Sequence, residues 1–130
     1  PDWETSAYGP VIKGLANVEL CNVKYQEYPD IYDQCSVFLS LSLIEGGPIP
    51  LLETMMSNLV PVVTRTGFAE DLVVNGVNGY LLEINESIED IRTKILEALE
   101  NVENISETVS HYDWGSYAET FFTKLEDMTR

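Results

Sequence analysis

The sequence predicts an α/β domain built on a parallel sheet, and three observations carry that expectation. Short apolar runs alternate with amphipathic stretches, the texture of successive strand–helix units. The run at residues 37–41 is nearly all apolar, as suits a strand covered on both faces. At 130 residues, without internal repeat or low-complexity tract, the chain is the size of one domain with a real core.

Four strand candidates stand out, at residues 18–23, 37–41, Val60–Thr64 and Tyr80–Leu82. Ahead of them Ala7, Tyr8, Val11, Ile12 and Leu15 recur at helical spacing, with Gly9-Pro10 disturbing the start. Tyr28-Pro29 opens a short helix to about Gln34. Pro50 suits the first turn of a helix whose apolar stripe is Leu51, Leu52, Met55, Met56 and Leu59. Ser87 with Asp90 three residues on reads as a capping box, followed by Ile88, Ile91, Ile95 and Leu99 on one face. Residues 101–110 read as a polar connector. Asp113 is the expected cap of a last helix at about 113–128. Its Trp114, Tyr117, Phe121, Phe122, Leu125 and Met128 form an expected core-facing seam.

Composition narrows the function classes. Hydrophobic residues make up 45% and charged residues 22%, an ordinary soluble balance. No apolar run approaches the ~20 residues of a membrane-spanning helix, and no leader pattern opens the chain. It does not begin with Met, as expected of a piece of a longer protein. The net charge of −15, with 7 Lys and Arg against 22 Asp and Glu, argues against nucleic acid and against direct contact with an anionic membrane. Cys21 and Cys35 are expected as two buried thiols in a cytoplasmic protein rather than a disulfide frame. Asp33, Asp71 and Asp113 lack metal-ligand spacing, so no metal is implied. His111 precedes the last helix, remote in sequence from the Glu45 loop, and suits a surface or capping role.

The informative stretch is Ser42-Leu-Ile-Glu45-Gly46-Gly47-Pro48-Ile49-Pro50-Leu51-Leu52-Glu53. It follows a buried strand and enters a helix, at the edge where ligands of open α/β sheets bind. Gly46 and Gly47 let backbone approach a ligand, and the free N–H groups of the helix N-terminus suit a phosphate. Glu53 falls about 200° from Leu51 on a wheel of ~100° per residue, off the apolar stripe. The N–H groups would hold phosphates, while each carboxylate accepts from neighbouring sugar hydroxyls. A nucleotide sugar offers both. The bland alternative is a Glu favoured near the helix start by the macrodipole alone, with Glu45 a solvated loop acid.

Glu45 to Glu53 resembles the E-x7-E motif of retaining GT-B glycosyltransferases of the group 1 type, together with Ser42 and Gly46. The likeness continues. Leu52-Glu53-Thr54-Met55-Met56-Ser57-Asn58 is similar to that family's L-E-A-M-A-x-G helix, and Val60-Pro61-Val62-Val63 to its next strand. Thr66-Gly67-Phe68-Ala69-Glu70 resembles the G-G-x-x-E loop. Asn75-Gly76-Val77-Asn78-Gly79-Tyr80-Leu81 resembles the D-G-x-x-G-x-L turn, and His111-Tyr112-Asp113-Trp114 the F-S-W opening of the final helix. The resemblance covers about residues 18–128, in order.

It implies that residues 1–130 are a partial C-terminal nucleotide-sugar-binding domain, Rossmann-like, with strands three to six of a sheet ordered 3-2-1-4-5-6. Strands one and two would separate the first two candidates. It implies transfer of a hexose from a nucleotide-diphosphate sugar with retention, in polysaccharide or glycan biosynthesis. Glu45 would contact the hexose as the catalytic residue. Glu53 would bind the ribose, and the Gly46, Gly47, Ile49, Pro50 and Leu51 backbone, with Gly67 nearby, would lie against the diphosphate and sugar. Residues 22–25 stand where members hold the base. The donor is a substrate, and no cofactor is implied. The partner is the upstream remainder of the enzyme: acceptor domain, first strands, and the Arg and Lys that neutralise the diphosphate. Alone the piece is expected to be inactive. Three departures bear on the site. Gly47-Pro48 replaces F-G, Asn58 replaces Gly, and Thr66 replaces the first Gly of G-G. The rival expectation is a non-catalytic, degenerate α/β interaction domain.

Overall fold

A computed structural model describes residues 14–19, 21–100 and 104–129. Three parallel strands, β1 (Val37–Ser40), β2 (Val60–Thr64) and β3 (Tyr80–Leu82), lie side by side in that order. Val37 stands opposite Val60, and Val62 opposite Tyr80. The helices are α1 (Tyr28–Tyr32), α2 (Ile49–Met56), α3 (Ala69–Leu72), α4 (Ile88–Glu100), α5 (Ile105–Val109) and α6 (Trp114–Met128). A 3-10 turn, Tyr25–Glu27, leads into α1. This is the expected α/β fold, a parallel sheet flanked by helices.

All five residues of β2 are buried, because it alone is paired on both sides. Pro61 is tolerated in this central strand for a specific reason. The Val60 N–H goes to the Ser36 carbonyl on the β1 side, so the N–H that Pro61 lacks would face β3. There it lies one residue ahead of the first ladder pair. Gly79 passes this point so closely that a Cβ would stand 2.4 Å from Pro61 Cγ.

Three strands form where four were expected. Among the described residues of 18–23 none is in a strand, and all but Val23 are exposed. In the expected order this strand pairs with strand two, and no described residues occupy that position. An unpaired strand leaves its backbone groups to water, so nothing holds it extended. β1 departs too. Its burial is partial, with Leu39 exposed, because as an edge strand it is covered incompletely. The helix expected over Ala7 to Ile12 lies outside the described residues.

Leu51 and Met55 on α2, and Leu59 just past its end, are buried as expected, while Met56 is exposed and Thr54 is buried in its stead. The Thr54 hydroxyl satisfies itself on the Pro50 carbonyl at 2.8 Å. The helix ends in a left-handed Asn58 at φ 62°, with Leu59 N–H on the Thr54 carbonyl and Asn58 N–H on that of Met55. That is the hydrogen-bond pattern a glycine usually serves, and Asn accepts it. The Ser87 hydroxyl takes the Asp90 N–H at 3.1 Å, as the capping reading required. On the inward face of α4 Ala98 is buried and Ile91 and Ile95 are half-buried, with Ile88 and Leu99 exposed.

Two further corrections concern the C-terminal third and the thiols. The expected polar connector contains α5, which sinks Ile105 and Val109 into the core. Their four-residue spacing puts both on one helical face. The expected core-facing seam of α6 buries no residue, and Trp114 is 85% exposed. Nothing among the described residues covers that face. Cys21 and Cys35, expected to be buried, are exposed free thiols, since their segments belong to neither a paired strand nor a packed helix. His111 is exposed beside Tyr112, in keeping with a surface role.

The turn before β3 is held by side chains. Buried Asn78 accepts from the Val74 N–H at 2.7 Å and donates to the Leu72 carbonyl and Thr108 hydroxyl, both at 3.0 Å. It thereby ties α3, β3 and α5 together. Asn78→Ala leaves buried groups unpartnered and is expected to cost about 1–3 kcal/mol, read as a lower urea midpoint. Asp113 caps α6 by accepting from the Gly115 and Ser116 N–H groups at 2.7 and 3.1 Å. The bonds from Ser116, side chain and backbone, and then from Gly115 hold its carboxyl below the usual carboxylate range. A depressed value gives stabilisation that is full above the ordinary pKa and lost as pH falls through the folded one. Amide shifts of the first turn of α6 are therefore expected to move toward coil only below about pH 3.8.

Candidate functional site

At the carboxyl end of β1 the chain turns through residues 41–48 into α2. An open cleft of about 530 Å3 lies there, lined by Phe38, Leu39, Ser40, Glu45, Gly47, Pro48, Ile49 and Pro50. It opens along the sheet edge that β1 leaves unpaired.

Glu45 is half-buried and positioned from behind. The Ser42 hydroxyl donates to Glu45 Oε1 at 2.8 Å, and the Ser42 carbonyl accepts from Thr64 Oγ1 at 2.6 Å. Thr64 is the buried last residue of β2. The carboxylate is thus tied, through Ser42, to the centre of the sheet. Sequence reasoning missed Thr64; its signal was a polar residue ending an otherwise apolar strand.

Gly67, at φ +56°, comes from the loop after β2. A Cβ there would stand 2.9 Å from Pro48 Cδ and 3.2 Å from the Glu45 carbonyl oxygen. The glycine therefore lets the two site loops close on each other. Thr66 accepts from the Ala69 N–H and donates its own N–H to the Thr64 carbonyl, in an ordinary negative-φ turn. Its substitution for glycine costs the backbone nothing.

The donors differ from expectation. The Ile49 N–H turns to the Gly47 carbonyl at 2.8 Å and the Leu51 N–H to that of Pro48 at 2.9 Å, while Pro50 has none. The first turn of α2 is thus largely self-satisfied, because Pro48 and Pro50 bracket it. The N–H groups of Gly46 and Gly47 meet no acceptor among the described residues, and the space around the Gly46 Cα is open. The donors without an acceptor at this edge thus lie in the loop rather than in the helix.

Glu53 stands one turn along α2, half-buried and outside the lining of the cleft. Tyr25 donates its hydroxyl to Oε1, and Tyr32 donates to Oε2 at 3.5 Å. The bond to Glu53 raises the Tyr25 pKa above its ordinary value. Burial, followed by the Glu53 charge, does the same for Tyr32. Neither tyrosine was singled out for Glu53 in the sequence, although Tyr25, Tyr28 and Tyr32 follow a three-then-four helical spacing that places them on one side. Arg65, at the end of β2, is held by Glu70 and Glu83, which occupy its guanidinium. No Lys or Arg lines the cleft.

The sequence matches the glycosyl transferases group 1 family over residues 15–117, most of its length. The chain belongs to that family. It is 32% identical over 94 residues, 72% of this chain, to an uncharacterized glycosyltransferase of Methanocaldococcus jannaschii, of which it covers 26%. It is 28% identical over 113 residues, 78% of this chain, to sucrose synthase of Nitrosomonas europaea, of which it covers 14%. The chain thus spans about a quarter or less of these relatives.

In this glycosyltransferase domain the loops carrying Glu45 and Gly67 meet at the cleft, whereas Glu53 faces the tyrosines of the 3-10 turn and α1. Gly67→Ala forces a Cβ against Pro48 in a left-handed conformation. A loss of about 1–2 kcal/mol is expected, with NMR shift changes concentrated at residues 45–48. Changes confined to residues 66–68 would show that the loops are not in contact.

Proposed function

We propose that this domain supplies the donor half-site of a hexosyltransferase that uses a nucleotide-diphosphate sugar and retains anomeric configuration. The observation that carries the reading is Glu45, anchored through Ser42 to Thr64 at the head of the central strand and facing an open cleft. A carboxylate held in place by a sheet is suited to accept from sugar hydroxyls. Gly46 and Gly47 lie where their N–H groups suit diphosphate oxygens. Ile49, Pro50 and Leu51 contribute shape more than donors, and Gly67 closes the floor. Glu53 would accept from the two ribose hydroxyls.

Catalysis in this scheme consists of holding the leaving diphosphate and orienting the anomeric carbon. The electrostatics need help. The domain carries −15, and a helix N-terminus offers only about half a positive charge against a diphosphate. The cations and the acceptor domain are assigned to further parts of the enzyme. A non-catalytic interaction domain is the second reading, favoured by the self-satisfied first turn of α2.

The test is a titration of UDP and GDP, followed by NMR shifts, on this chain and on one extended upstream by a βαβα unit. The extended form is expected to bind one of them. Glu53→Ala is expected to weaken binding about 10- to 100-fold, the range for losing hydrogen bonds to a charged group. Two folded forms that bind neither nucleotide would transfer the argument to the interaction domain.

A further inference from the structure

We propose that Tyr25 and Tyr32 are positioning residues that lock the Glu53 carboxylate for a vicinal diol, so that the site discriminates ribose from 2′-deoxyribose. The proposal rests on the reading of Glu53 as the ribose-binding carboxylate.

The two hydroxyls reach Glu53 from a separate segment, 28 and 21 residues upstream, and each takes a different carboxylate oxygen. A carboxylate offers about four acceptor positions. One tyrosine on each oxygen leaves one position on each oxygen, the arrangement that two neighbouring hydroxyls require. Glu53 alone is a flexible side chain with several rotamers, and fixing it beforehand removes an ordering cost that the ligand would otherwise bear.

The rings explain how the hydroxyls stay in place. Tyr28 stacks on Tyr32 with centroids 5.9 Å apart and planes at 17°, and Tyr25 meets Tyr28 edge-on at 6.0 Å and 71°. The trio forms one aromatic block with two hydroxyls on one carboxylate. It is not a core element. Tyr25 is 66% exposed, and no residue of the 3-10 turn or α1 is buried. Burial therefore does not account for the block, whereas its convergence on Glu53 does. Both phenols keep their protons well above neutrality, so both are donors at working pH.

The mere-tether alternative, in which the tyrosines only hold α1 against α2, predicts a different readout. UDP and GDP and their 2′-deoxy counterparts are titrated by calorimetry into the upstream-extended chain. Tyr25→Phe, Tyr32→Phe and Glu53→Gln are compared with the unsubstituted protein, and circular dichroism checks that each is folded. Each tyrosine variant is expected to lose about three- to tenfold in affinity for the ribonucleotide while the deoxynucleotide affinity holds. Equal losses on both sugars, or none, overturn the proposal. If Glu53→Gln keeps the ribose preference, the ribose assignment of Glu53 fails instead, and the proposal falls with it. Absence of any nucleotide binding has the same meaning. One measurement needs no ligand. In an absorbance titration of the phenols, Glu53→Gln is expected to bring the two raised ionisations down, and unchanged ionisations would show that the contact is not made.

Discussion

Buried on both faces and paired on both sides, β2 is the part of the domain on which the rest depends. Its five residues hold the ladder to β1 and to β3, and helices α2 and α4 pack over it. The site inherits this order. The last residue of β2, Thr64, fixes the Ser42 carbonyl, Ser42 fixes Glu45, and Gly67, three residues beyond Thr64, lets the neighbouring loop close. A disturbance in the middle of the sheet would therefore reach the cleft through two hydrogen bonds, without any change in the loops themselves. A relay from the most buried strand holds the Glu45 carboxylate in one place, which is what a proposed sugar contact would require.

What the sequence revealed followed from local physics. Val60–Thr64 and Tyr80–Leu82 were legible because apolar runs bounded by turn residues have few other uses. The Ser87 and Asp113 caps were legible because a short oxygen-bearing side chain ahead of an apolar-periodic run has one favoured partner, the backbone N–H two or three residues on. Asn58 stood out only because the family has glycine there, and its left-handed conformation fits that position. Failures came where the outcome depends on a neighbour. Among the described residues, 18–23 have strand composition and no ladder to join, and Trp114 to Met128 have the periodicity of a packed helix and no surface to pack on. α5 was hidden because its apolar pair, Ile105 and Val109, is too sparse to stand out in a polar stretch.

The site was legible to the same depth. Glu45, Gly46 and Gly47 were singled out from residue type and position, Gly67 only through the family resemblance, and the structure brings their loops together. The expected donors ran from Gly46 to Leu51, and composition shows that Pro50 lacks an N–H but not that Ile49 and Leu51 turn theirs inward. The partners of Glu53 were out of reach of local reasoning. They lie more than twenty residues upstream, on a 3-10 turn and a short helix that only the fold brings beside Glu53.

The unpaired edge of β1 has a consequence for the behaviour of the domain in solution. Among the described residues the outer backbone groups of β1 have no partner strand, and beside exposed Leu39 and Leu41 they are a template on which a second copy can dock edge to edge. Opposing this is the charge of −15, since two such copies repel before their edges meet. That protection depends on ionic strength. At physiological salt the repulsion reaches about 8 Å, and at molar salt only about 3 Å, little more than the width of the hydrogen bonds that would then form. Salt is therefore expected to weaken that protection, which comes from the same acidity that a diphosphate must overcome at the cleft.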